Sequence, residues 1–101
     1  MIRHILFWKL TEEVKRSGRE EEAAAIVAAS VQTMAGRIDG MLTAELGKNE
    51  AGGEYDLIFY SEFRDQEALE AFRNHPLHAA HRERCRNYVT GRLAGDLVTE
   101  N

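Results

Sequence analysis

The spacing of apolar residues along the chain constrains its fold more than any other sequence feature. A two-residue period over 2–10, 41–46 and 55–63 predicts three strands, and a short apolar run over 93–98 predicts a fourth. A three-to-four-residue period after the first strand, and again after the third, predicts two helical regions. The expected order is therefore strand, helix, strand, strand, helix, strand.

That order is the split βαβ pattern of an α+β fold, a ferredoxin-like βαββαβ sandwich with a four-stranded antiparallel sheet. Two helices cover only one face of such a sheet, yet two of the strands carry apolar residues on both faces. The side chains available to the uncovered face are Ile5, Phe7, Ile58 and Tyr60. Because an exposed apolar patch marks an interaction surface, we expect a homodimer that pairs through the open sheet face.

Local signals predict the ends of the first helix. Residues 11–16 are polar and predict a loop, and Ser17 with Glu20 has the S-x-x-E spacing of a capping box. The helix is expected to present one apolar stripe, made of Ala23, Val27, Val31, Met34 and Ile38. Gly36 or Gly40 is expected to end it.

The second helical region has an N-cap signal and an interruption. Asp65 is of a type that caps helix N-termini. The chain's single proline, Pro76, lacks an N–H and disfavours a helical residue before it, so it is expected to break the helix. Since proline suits a first helical turn, 76–89 is predicted to form a separate helical segment.

Length and composition fit one domain, which we assign to 2–98 of the 101 residues. A net charge of −4 argues against a general nucleic-acid binder. No apolar run approaches the ~20 residues that span a bilayer, so no membrane association is expected. The N-terminal segment carries charges inside its apolar stretch and is not a signal peptide, and the lone Cys85 cannot form an internal disulfide. We therefore expect a cytoplasmic protein.

Three of the four histidines, His75, His78 and His81, fall close together. Histidine is the side chain best suited to proton transfer near neutral pH, so His78 is the candidate general base. It shares a helix face with His81, which we expect to be ordinary surface. His75 precedes Pro76 and is assigned either to the pocket or to the cap of the new helix. The alternative is that all three only cap or lie at the surface.

His4 alternates with apolar residues and is expected on a largely buried face. A buried imidazole needs a partner, so His4 is either a core histidine bonded to the backbone or, with His78, part of one pocket between sheet and helices. Four aromatic residues are expected mainly in the core and secondarily in the wall of a pocket, namely Trp8, Phe59, Phe63 and Phe72.

Other chemistries have weaker support in the sequence. His78, His81 and Cys85 follow a spacing that suits a metal, but zinc needs further ligands and no H-E-x-x-H or C-x-x-C is present, so no metal site is expected. Cys85 lacks an orienting group for a nucleophilic role and is expected to be a small buried residue. No phosphate loop or nucleotide fingerprint predicts a cofactor. The arginines within 82–86 suit an anionic ligand or, as we expect, a solvated helix face.

Several short motifs occur together along the chain. They are Ile2-Arg3-His4-Ile5-Leu6-Phe7 with Lys9, then Tyr55-Asp56-Leu57, Phe63, and Glu67-Ala68-Leu69 leading to His75-Pro76-Leu77-His78. Together they resemble the stress-responsive A/B barrel domain, or Dabb, family over nearly the whole chain. The resemblance implies a dimeric α/β barrel, in which two ferredoxin-like subunits close their sheets face to face.

The resemblance also implies roles for individual residues. One plant branch of the family closes a polyketide chain by aldol condensation without a cofactor. Its base is the second histidine of His-Pro-x-His, which is His78 here, and its strand-one histidine lines the pocket, which is His4 here. A tyrosine three residues before His-Pro assists that reaction, but this chain has Phe72, whose ring cannot donate a hydrogen bond.

Three hypotheses for function follow. The first is a homodimer that binds a small apolar or aromatic molecule in a pocket between sheet and helices. The second is a cofactor-independent enzyme in which His78 removes an acidic proton beside a carbonyl. The third is a non-catalytic stress or interaction protein whose histidines only cap and pack.

Overall fold

The structure is a computed structural model and describes residues 1–100. The chain folds into a four-stranded antiparallel sheet with helices against one face. This confirms the α+β, ferredoxin-like prediction. The elements are β1 (Ile2–Leu10), α1 (Glu12–Arg16), α2 (Glu20–Gln32), β2 (Met41–Lys48), β3 (Leu57–Phe63), α3 (Gln66–Arg73), α4 (Pro76–Cys85) and β4 (Val89–Val98). No helix within residues 1–100 is long and apolar enough to cross a membrane.

The strands lie in the order β2-β3-β1-β4, so β1 is central and β4 is an edge. On the helix-facing side of β1, Leu6 pairs with Phe59 of β3. His4 lies between Ser61 of β3 and Asp96 of β4. This register brings two distant ends of the chain, β1 and β4, to one point of the sheet.

The core lies between the sheet and the helices. Its larger cluster contains Leu6, Val31, Met34, Phe59, Phe63, Leu69 and Phe72. In contrast, no residue of β4 is buried. The helix layer therefore covers the other three strands and leaves the helix-facing side of β4 open.

The opposite face of the sheet carries the predicted apolar patch. Ile5 pairs with Tyr60 and Phe7 pairs with Ile58, which confirms that these four side chains share one face. Leu93 of β4 pairs with Phe7 and extends the patch, with 49% of its surface exposed. Among the helices of residues 1–100, none covers this face.

The segment before α2 differs from the prediction. The polar residues expected to form a loop contain the short helix α1, because Thr11 caps it by accepting from the Val14 N–H. The capping box is absent: α2 begins after Arg19 without a side-chain cap. Ser17 instead bonds back to α1, where its hydroxyl donates to the carbonyl of Glu13 at 2.9 Å.

The helix α2 also ends before Gly36 and Gly40, the two residues predicted to end it. α2 stops at Gln32, because Thr33 bonds back to the carbonyl of Ser30. Met34 and Ile38 are buried as predicted, but they lie in the turns that follow the helix.

The second helical region follows the prediction at its start and break. The Asp65 carboxylate accepts from the Ala68 N–H at 2.9 Å and caps α3. Pro76 occupies the first turn of α4. That helix ends at Cys85, whereas the prediction extended it to residue 89. β4 begins at Val89, four residues before the predicted start at residue 93.

Candidate functional site

A cavity of about 220 Å³ lies between the sheet and the helices α2 and α4. It forms beside the uncovered edge strand, where the helix layer stops. Its wall consists of Leu6, Trp8, Val27, Leu46, Phe59, Phe72, His78, His81, Arg82, Cys85, Arg86 and Val89. Apolar side chains from the sheet form its floor, and α4 supplies its polar groups.

The structure brings together some of the predicted site residues and separates others. Trp8, Phe59, Phe72 and His78 line the cavity. His4 and His75 do not, although both were assigned to the pocket. His75 instead caps α4, where its Nδ1 accepts from the Leu77 N–H at 3.0 Å. This capping role is the alternative that the sequence had offered for it.

One ring nitrogen of His78 is hydrogen-bonded to the backbone, and the other can accept a proton. Its Nδ1 lies 3.3 Å from the backbone oxygen of Arg73, and because a carbonyl only accepts, Nδ1 carries the proton. Nε2 is therefore an unprotonated acceptor. The ring packs against Phe72 with centroids 4.2 Å apart. Burial lowers the pKa of His78 below its ordinary value, so the imidazole is neutral near pH 7.

His81 is a second wall histidine, which the sequence had assigned to ordinary surface. Its Nδ1 lies 2.8 Å from the Ser30 hydroxyl of α2. Arg84 Nε donates to the same oxygen at 2.9 Å, which leaves the hydroxyl hydrogen free to donate to His81. Burial, aided by the charges of His78 and Arg84, lowers the pKa of His81 to about 4. No local pattern indicated Ser30, which lies 51 positions away in the chain.

His4 is 3% exposed and lies behind the cavity. Its Nδ1 is 2.5 Å from the Asp96 carboxylate, so it bonds to a side chain of β4 and not to the backbone. Its ring meets Phe59, Phe63 and Phe72 edge-on, with centroids 6.2 to 6.4 Å apart. His4 thus supports two cavity aromatics, Phe59 and Phe72, from behind.

Cys85 lines the cavity and is buried. Burial raises the pKa of its thiol, which disfavours the reactive thiolate. Its Sγ lies 3.8 Å from His81 Nδ1. Within residues 1–100, no three His, Cys, Asp or Glu side chains are grouped so as to hold a metal ion. The arrangement therefore offers an apolar wall with two neutral imidazoles.

Comparison with solved structures supports the fold assignment. The chain is similar to a dimeric protein of unknown function with a ferredoxin-like fold from Bacteroides fragilis, with a TM-score of 0.81 and 21% identity over 95% of this chain and 93% of that chain. It is also similar to SnoaB, a cofactor-independent oxygenase from Streptomyces nogalater, with a TM-score of 0.65 and 14% identity over 99% and 93%. At such low identity, these likenesses show the fold alone.

A further solved structure agrees with the family that a family model shows. A Dabb family protein with a ferredoxin-like fold from Mesorhizobium loti has a TM-score of 0.64 and 25% identity to this chain, over 99% of it and 97% of that chain. No curated protein matches the sequence significantly. The family model described as the stress responsive A/B barrel domain matches residues 2–99. Since that match spans nearly the whole chain, the chain belongs to the Dabb family.

Proposed function

We propose that this Dabb protein binds a small apolar or aromatic molecule in the cavity beside His78. The observation that carries the proposal is the open apolar space itself. Protein interiors are packed with few voids larger than a water molecule, whereas an apolar cavity of about 150 Å³ already accommodates benzene. The cavity here is about 220 Å³, and aromatic rings form part of its wall. A protein whose histidines only cap and pack has no need of such a space.

We also propose that the chain acts as a homodimer, paired face to face through the open side of the sheet into a dimeric α/β barrel. The patch around Phe7 and Ile58 is apolar and no helix covers it. Similar structures from Bacteroides fragilis, Thermobifida fusca and Jannaschia are dimeric. Pairing two copies of this face removes both patches from water.

Trp8 allows a direct test of ligand binding. It is the single tryptophan of the chain and lines the cavity, so its fluorescence reports on occupancy of that space. The probe is 4-butylbenzamide, an uncharged aromatic molecule that absorbs little at the excitation wavelength of tryptophan. We expect a saturable change in Trp8 emission on titration.

Two matched variants on β4 separate cavity binding from surface adsorption. Val89→Phe places a larger side chain in the cavity wall, and we expect it to weaken the binding of 4-butylbenzamide at least about tenfold. Val98→Phe makes the same change at a position that is 72% exposed, and its titration should match the wild type. Equal binding by both variants, or no change in wild-type emission, rejects the cavity as the site.

A second candidate function is proton abstraction by His78 from a carbon beside a carbonyl. The specific observation in its favour is the tautomer, because the Arg73 carbonyl holds the proton on Nδ1 and leaves Nε2 as a base facing away from the backbone. The lowered pKa keeps that base unprotonated near pH 7. Phe72 supplies no hydroxyl for the enolate, in contrast to the tyrosine of the plant cyclases.

Hydrogen–deuterium exchange tests this second function. With 4-butylacetophenone in D2O, a base at His78 takes an α-proton to form the enolate, and return of deuterium from solvent labels the ketone. NMR measures the label. We expect His78→Gln to lose the catalysed exchange, while His75→Asn, which preserves a capping side chain outside the cavity, retains it. Exchange by wild type at the uncatalysed rate rejects the enzymatic role.

A further inference from the structure

The cavity opens into a second space beside the edge strand. This outer space, of about 430 Å³, is lined by Leu6, Trp8, Arg73, His78, Arg82 and Arg92. Four of these residues, Leu6, Trp8, His78 and Arg82, also line the inner cavity. The two spaces therefore form one cleft, whose inner end is mostly apolar apart from side chains of α4 and Arg86, and whose mouth carries three arginines.

Two of these arginines differ from the third in having no carboxylate partner among residues 1–100. Within residues 1–100, no carboxylate lies within 4.0 Å of the guanidinium of Arg82 or Arg92, and both side chains are exposed. Arg73 is different, because it pairs with Glu70 at 2.6 Å and approaches Asp96 at 3.6 Å. An acidic chain with net charge −4 thus concentrates unpaired positive charge at the mouth of its apolar cavity.

We propose that the ligand carries a carboxylate that Arg82 and Arg92 bind, while its apolar body occupies the inner cavity. This inference rests on the proposed function and names its ligand class. Guanidinium groups bind carboxylates through paired hydrogen bonds, and two unpaired cations suit one anionic group. Asp96 approaches Arg73 at 3.6 Å and offsets part of the positive charge at the mouth, so a singly charged carboxylate matches the remaining charge better than a doubly charged phosphate does.

The position of the mouth is compatible with the proposed dimer. Side chains alternate along β4, so Arg92 and Leu93 lie on opposite faces of the sheet. Leu93 pairs with Phe7 on the open face, whereas Arg92 lines the cleft on the helix side. A partner docked on the open face leaves the arginines accessible. The two arginines also lower the pKa of His78, which agrees with their closeness to it.

Three probes that share one apolar body test the inference by Trp8 fluorescence. They are 4-butylbenzoate, the uncharged 4-butylbenzamide and 4-butylphenyl phosphate. We expect wild type to bind the benzoate at least about tenfold more tightly than the benzamide, because a charge-assisted bond is stronger than a neutral one. The phosphate should bind more weakly than the benzoate.

Variants that remove a positive charge identify the arginines responsible for the preference for benzoate. Arg82→Gln and Arg92→Gln should each reduce the preference for benzoate over benzamide, and the double variant should abolish it. Arg37→Gln removes the same charge at an exposed position outside the cleft and should keep the full preference. Equal binding of benzoate and benzamide, or tighter binding of the phosphate, overturns the carboxylate assignment but leaves the proposed function standing. Binding of none of the probes overturns both.

Discussion

His78 and His81 share the cavity wall but are held differently. A backbone carbonyl engages Nδ1 of His78, while a hydroxyl from another helix engages Nδ1 of His81. His78 could be identified as a site candidate from the sequence, because it lies in the histidine cluster and is the second histidine of His75-Pro76-Leu77-His78. The environment of His81 could not be predicted in this way, because its partner Ser30 is 51 positions away and the contact depends on how α2 packs against α4.

The His4–Asp96 pair gives a prediction for stability. Asp96→Ala removes the acceptor of a buried imidazole N–H, and leaving that group unsatisfied should cost about 1–3 kcal/mol of unfolding free energy. Asp39→Ala breaks a 3.5 Å contact with Arg64, but the Asp39 side chain is 96% exposed, so the change should be within about 0.5 kcal/mol. Urea unfolding at pH 7 measures both. Equal effects would contradict the assigned role of Asp96.

The lowered pKa of His81 predicts that the free energy of unfolding depends on pH. Its pKa is about 4 in the folded chain and near the ordinary 6.5 in the unfolded chain, so below about pH 6.5 the unfolded state binds a proton that the folded state excludes. Stability should therefore fall as pH drops from about 6.5 to 4, by at most roughly 3 kcal/mol from this residue.

Urea unfolding at pH 7 and pH 4.5 checks this pH dependence. His81→Gln keeps a polar group near Ser30 but does not titrate, so it should lose less stability between the two pH values than wild type. His78 adds to the loss in both proteins, because its pKa is also lowered. The same loss in variant and wild type would show that His81 is not the group responsible.

At the scale of elements, strands were predicted better than helix ends. The alternation in β1 and β3 fixed which residues face the helices, since a shift by one residue would reverse every side chain. The end of α2 and the formation of α1 depend on side-chain hydrogen bonds that compete with the capping and glycine signals in the sequence. Ser17 illustrates this: its capping-box spacing is intact, but its hydroxyl bonds to α1.

The turn before β2 gives a prediction at this scale. Gly40 has φ of 85°, and an added Cβ would lie 2.5 Å from the Cβ of Ala68 on α3. Gly36 has φ of 76° but open space around it. Gly36→Ala should therefore cost roughly 1–2 kcal/mol for its backbone alone, and Gly40→Ala roughly 1–3 kcal/mol more. Thermal unfolding of the two variants compares them, and equal losses would exclude the contact with α3.

For the whole molecule, the cavity and the open face lie on opposite sides of one sheet. The apolar patch could be predicted from strand periodicity alone. The cavity could not, because it exists only where the helix layer stops short of β4, and no local pattern encodes that limit.

Sedimentation at micromolar concentration tests the dimer. Wild type should sediment as twice the 11.4 kDa chain mass. Leu93→Glu places a charge on the open face and should yield the 11.4 kDa species, whereas Val98→Glu, which pairs with Ile2 on the helix side, should remain dimeric. A monomeric wild type, or a dimeric Leu93→Glu, would remove this face as the interface.

We propose that the space beside His78 binds a ligand, and a crystal structure of the wild-type protein with 4-butylbenzamide would locate that ligand. We predict the butylphenyl group between Trp8 and His78, against the ring of Phe72. A cavity filled by the protein's own side chains, with the probe elsewhere or absent, would show that this space is not a binding site.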